Sequence, residues 1–154
     1  MTSHVEGKRV IASVMIGSVA SIGPNATLHE AATALQTAEV GTLAIMDGPQ
    51  IAGIVSERDL VRALSEGLDP DQARVEEIMT RDPRYVTPSD PVDTALGTML
   101  AARIRHLPVL DEGELVGIVS IRDLAAALLG RDLVSEFEAS RPLAIEQELA
   151  RPGG

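Results

Sequence analysis

Apolar residues at Leu28, Ala31, Ala32 and Leu35 fall on an i, i+3, i+4, i+7 pattern, which predicts an amphipathic helix over 28–39. Two short apolar runs follow, 42–46 and 51–55, joined by Asp47-Gly48-Pro49-Gln50. Turn residues at that spacing predict a β-hairpin. A second helix is predicted over 57–66 and stops at Gly67-Leu68-Asp69-Pro70. The same succession then returns: a helix over 92–103 (Val92, Ala95, Leu96, Met99), a hairpin from 106–110 and 115–119 through Asp111-Glu112-Gly113-Glu114, and a helix over 122–129. Short extended pieces are predicted over 18–22 and 84–87, each ending at a proline, Pro24 or Pro88, that holds its predecessor in extended geometry. Each unit therefore reads strand–helix–strand–strand–helix.

The recurrence is an internal repeat, which must be recognised before any fold is assigned. Shifted by 64 positions without a gap, residues 21–60 lie on residues 85–124 with 12 identities in 40. The best-kept stretch is Gly53-Ile54-Val55-Ser56-Glu57-Arg58-Asp59-Leu60 against Gly117-Ile118-Val119-Ser120-Ile121-Arg122-Asp123-Leu124. Ser13-Val14-Met15 lies on Glu77-Ile78-Met79 at the same offset, so each unit has a short lead-in. A unit of about 60 residues is marginal for a core of its own. The expected architecture is α+β (α/β): two pseudo-twofold-related β-α-β-β-α repeats, 10–70 and 71–130, packed through their sheets into one module, with a helical tail over 131–154. In that tail Leu133, Val134 and Phe137 are placed to extend or follow the last helix, and Pro142 interrupts it.

Composition narrows the function. The formal charge is −10, and only Lys8 and 12 arginines are basic, so a nucleic-acid backbone is not the expected partner. Tyr85 and Phe137 are the only aromatics, too few for a base-stacking platform. There is no cysteine, and His4, His29 and His106 are scattered, which disfavours zinc. No run of 18 or more apolar residues and no signal-type N-terminus is present, so no membrane role and a cytoplasmic location are expected.

Candidate chemistry concentrates at the repeated motif. Ser-x-x-Asp between a strand and a helix resembles a capping box, with Ser56 and Ser120 capping the first turn and Asp59 and Asp123 near the positive helix end. Capping leaves Arg58, Arg122, Gly53 and Gly117 unexplained, although a glycine in a strand also marks a bulge or a close backbone approach. The same atoms suit a nucleotide: a helix N-terminus and a serine for phosphate, a carboxylate one turn on for ribose hydroxyls, and arginine for phosphate charge. Met15 and Met79 are read as core packing, and His106 equally as a strand residue or a phosphate contact.

The paired motif resembles tandem cystathionine β-synthase (CBS) domains, which together form a Bateman module. Arg105-His106-Leu107-Pro108-Val109-Leu110-Asp111 is similar to the middle strand of that family, and the resemblance covers about residues 10–130. It implies a regulatory binding module rather than an enzyme, with no cofactor. Its ligand would be AMP, ADP or ATP, or else NAD or S-adenosylmethionine, held in clefts between the repeats. By position, Asp59 and Asp123 would hold ribose; Ser56, Arg58, Ser120, Arg122, Arg105 and His106 the phosphate side; Ile22, Leu43, Val86, Thr87 and Leu107 the base. A homodimer acting on a separate regulated protein is implied as well. The alternative is an interaction module without a nucleotide, its Ser and Asp acting only as caps. Opposite Arg105-His106 the first repeat has Gly41-Thr42, and Glu57 faces Ile121, so unequal sites are expected. The sequence does not assign Arg105 and His106 to either cleft.

Overall fold

The computed structural model describes residues 9–129; the tail predicted over 131–154 and the polar start lie outside the described residues. The first repeat runs β1 (Ser21–Ile22), α1 (Leu28–Ala38), β2 (Thr42–Asp47), β3 (Gln50–Ser56) and α2 (Glu57–Ser65). After a 3-10 turn and β4 (Thr80–Arg81), the second repeat runs α3 (Val92–Ala102), β5 (His106–Asp111), β6 (Glu114–Ser120) and α4 (Ile121–Leu129). No helix among the described residues is long and apolar enough to cross a membrane.

The two hairpins are built in identical register. Thr42 faces Ser56 as His106 faces Ser120, and each ladder slips once, after Ile45 and after Val109. The helices end alike, with Glu39 and Arg103 both in the left-handed region at φ 56° and 58°. The predicted first strand of each repeat is shorter than expected, and in the second repeat it shrinks to a single parallel bridge between Val86 and Val109. The cause is covalent. The Ala44 amide donates to the Ala20 carbonyl in the first sheet, but the corresponding residue is Pro108, which has no N–H to give.

Each sheet is completed by the lead-in of the other repeat. Thr80–Arg81 pairs with Ile54 and Gly53 of β3, while Ile16 bridges Ile118 of β6. The cores follow the same exchange. Ile11 is buried with Val92, Met99, Leu107 and Leu124, and Val75 with Leu28, Leu43, Ile45 and Leu60. The repeated glycines make room for this crossing. A Cβ on Gly53 would stand 2.6 Å from the Thr80 carbonyl oxygen and 2.8 Å from the Met79 sulfur. On Gly117 it would stand 2.9 Å from both the Ile16 carbonyl oxygen and the Met15 sulfur. The two sheets meet along β3 and β6, giving the two-repeat α+β module expected from the pattern.

Candidate functional site

At the C-terminal end of β3 the chain turns directly into α2, and four hydrogen bonds shape that corner. The Gly41 carbonyl accepts from the Glu57 amide at 2.9 Å. The Ser56 hydroxyl accepts from the Asp59 amide at 3.2 Å, and the Asp59 carboxylate accepts from the Ser56 amide at 2.8 Å. The other carboxylate oxygen accepts from Arg62 at 2.8 Å. The Ser-x-x-Asp pattern is therefore a complete capping box. The Arg58 amide, second in the helix, has no intrahelical carbonyl to reach, as for every helix start.

A cleft of about 360 Å³ opens at this corner, between α2 and the end of α3 in the other repeat. Ser56, Arg58 and Asp59 line it, and so do Arg105 and His106, so five of the sequence-predicted residues share one cleft. Thr42, Ile54, Arg62, Thr80, Arg103 and Ile104 also line it and were not anticipated. Ile54 had a usable signal: it alternates with the buried Val55 on β3 and so faces away from the core. Arg103 and Ile104 had none, because only the packing of one repeat on the other brings them here.

Ser120, Arg122 and Asp123 occupy the corresponding corner at the start of α4. The backbone is the same: the Arg105 carbonyl accepts from the Ile121 amide at 2.8 Å, and the Ser120 hydroxyl from the Asp123 amide at 3.1 Å. The carboxylate is not. Among the described residues nothing donates a hydrogen bond to Asp123. The expected base-flanking residues divide. Leu43 and Leu107 are fully buried and Val86 nearly so, each within a core. Ile22 packs partly buried against the first core, and the Thr87 amide donates to Asp90 at 2.8 Å. Ile54 and Ile104 give the cleft an apolar wall.

Four arginines and two carboxylates, Glu57 and Asp59, line the cleft. That is a local excess of 4 − 2 = +2 in a chain of formal charge −10. Burial lowers the pKa of His106 below its ordinary 6.5, against the pull of Asp123 and Glu57 and with help from Arg105. The neutral imidazole is therefore favoured. The Thr42 hydroxyl is buried without a hydrogen-bond partner among the described residues, a costly condition unless something completes it.

The chain is a duplicated α/β unit with exchanged lead-ins and a cationic cleft at the strand-to-helix corner. The CBS domain family model matches residues 11–66 and 75–130, and the chain belongs to that family. It is 41% identical over 121 residues to a 17.7 kDa protein of Acidianus ambivalens, covering 77% of this chain and 73% of that one. It spans only 27% and 21% of two longer CBS domain-containing proteins of Arabidopsis thaliana. Among solved structures, it is similar to a CBS domain protein of Pyrobaculum aerophilum complexed with AMP (TM-score 0.73, 32% identity, covering 82% of this chain and 99% of that one). The CBS domain pair of protein MJ0100, in complex with 5′-methylthioadenosine and S-adenosyl-L-methionine, is similar at TM-score 0.73 and 26% identity, covering 80% and 98%.

Proposed function

We propose that this chain is a regulatory module that binds a phosphorylated adenosyl ligand in the cleft at Asp59 and modulates a partner protein, without catalysing a reaction itself. The observation that carries this reading is the convergence of Arg58, Arg62, Arg103 and Arg105 on a helix N-terminus within an otherwise acidic chain. Arginine forks and a helix start both suit phosphate oxygens. The cleft volume falls within the range of small-molecule sites. In this reading Asp59 grips ribose, and Ile54 and Ile104 offer apolar surface to a base. The AMP, methylthioadenosine and S-adenosylmethionine complexes of related CBS proteins support the adenosyl class.

Thermal unfolding with AMP, ADP, ATP, NAD and S-adenosylmethionine tests this. A ligand at about 100 times its dissociation constant adds about 2.7 kcal/mol to the folded state. Arg105→Ala and Asp59→Ala should each reduce that gain. No shift with any ligand would favour the second reading, an interaction module whose serine and aspartate only cap helices. The complete Ser56–Asp59 box is the observation behind that alternative.

The same proposal includes a homodimer. Val40, Val61 and Leu64 are exposed along a groove between α1 and α2, and Leu128 and Leu129 are exposed on α4. A second copy covering these helices would remove that apolar surface from water. Sedimentation equilibrium at micromolar protein should give twice the chain mass, and Leu64→Glu should shift it to the monomer.

A further inference from the structure

The two aspartates that the repeat makes equivalent are held differently, and the difference bears on which ligands each corner accepts. Both oxygens of Asp59 are engaged, one by the Ser56 amide and one by Arg62, each at 2.8 Å. Gripping two ribose hydroxyls with one carboxylate calls on both oxygens. Each oxygen keeps a second lone pair, but Arg62 stands at an oxygen that a ribose hydroxyl must also reach, so the two compete for it. At the other corner the residue corresponding to Arg62 is Ala126, and nothing among the described residues donates to Asp123.

Arg62 is free to move, because its side chain is 60% exposed whereas that of Asp59 is 17% exposed. It also lines the cleft together with Arg58, Arg103 and Arg105. A guanidinium leaves a carboxylate at little cost when another anion takes it, and phosphate oxygens accept the same two-pronged donation. A nucleoside without phosphate offers no such exchange.

Resting on the adenosyl-ligand reading above, we propose that Arg62 is the specificity-determining residue of the Asp59 cleft. It covers the carboxylate against nucleosides that carry no phosphate and yields it to those that do. The corner at Asp123, with alanine in place of arginine, has no such cover among the described residues and accepts unphosphorylated nucleosides.

Titration calorimetry with ADP and with adenosine tests this on an Asp123→Ala background, which leaves only the Asp59 cleft. Removing Arg62 by Arg62→Ala should tighten adenosine about fivefold, the worth of an exposed ion pair that no longer competes. It should weaken ADP about tenfold through the lost charge-assisted contact. Alanine is the better helix former at an exposed position, so the variant should fold, and its melt verifies this. The reciprocal change, Ala126→Arg on an Asp59→Ala background, should weaken adenosine at the other corner. If ADP and adenosine both bind but their affinity ratio is indifferent to Arg62, the specificity role falls and the adenosyl reading stands. If neither binds any form of the protein, this inference falls; the adenosyl reading falls with it when AMP, ATP, NAD and S-adenosylmethionine give no thermal shift either.

Discussion

The corners at Asp59 and Asp123 share a backbone and the serine, arginine and aspartate of the repeated motif, and differ in the side chains around them. In both, the carbonyl before the hairpin accepts the first amide of the following helix, and a serine caps the third. Yet Glu57 stands against Ile121, Arg62 against Ala126, and Gly41-Thr42 against Arg105-His106. The two hydrogen bonds common to both corners are one main-chain bond and one to the retained serine, so the side chains around them could diverge while the corner kept its shape. Duplication supplied two equal frames, and side chains that packing does not constrain made them unequal.

The largest effects should be equal in the two repeats. Leu43→Ala and Leu107→Ala each open a cavity beneath a fully buried side chain and should cost about 2–5 kcal/mol in urea denaturation. Because Ile11 and Val75 sit in each other's repeat, both should lower one shared transition. Two separate transitions would show that the repeats unfold independently and would break the comparison at its root.

Smaller and graded effects should come from the crossings. Gly53→Ala and Gly117→Ala should each cost about 1–3 kcal/mol by crowding. Gly53 should cost more, since its added Cβ meets a carbonyl oxygen at 2.6 Å rather than 2.9 Å. Equal costs would mean that both lead-ins give way alike. Asp59→Ala should lower apo stability by about 1 kcal/mol, through the lost cap and the Arg62 pair. Asp123→Ala should lose only a few tenths, from its place near a helix start. Melting temperatures of the two variants without ligand decide the order.

The finest contrast is in pH. Burial holds His106 below 6.5, with Asp123, Glu57 and Arg105 as its charged neighbours. The unfolded chain therefore takes up that proton more readily than the folded one. Stability is level above the unfolded value and falls as pH drops below about 6.5 towards the lower folded value. His106→Thr, which restores the first repeat's residue at that position, should flatten this part of the melting curve against pH. An unchanged slope would assign the dependence to other groups.

Much of this was legible beforehand. Helical periodicity located α1 and α3 to within a residue or so, and turn residues located both hairpins. The offset identified Ser56, Asp59 and their partners. Leu43 and Leu107, expected near a base, have their side chains fully buried in the two cores. Period-two alternation separates the two faces of a strand but does not say which face the helices cover.

The sequence by itself determined the duplicated unit, its helix and strand order, and the capped corner, because each depends on residues within a turn or a hairpin of one another. Only the tertiary structure decided that each lead-in completes the opposite repeat and that Arg103 and Arg105 join the cleft at Asp59. It also decided that Arg62 occupies one aspartate, while no described residue donates to the other. Those contacts depend on where distant apolar faces find burial. A chain that cannot bury Ile11 and Val75 beside their own neighbours places them, and the charges that follow, across the module.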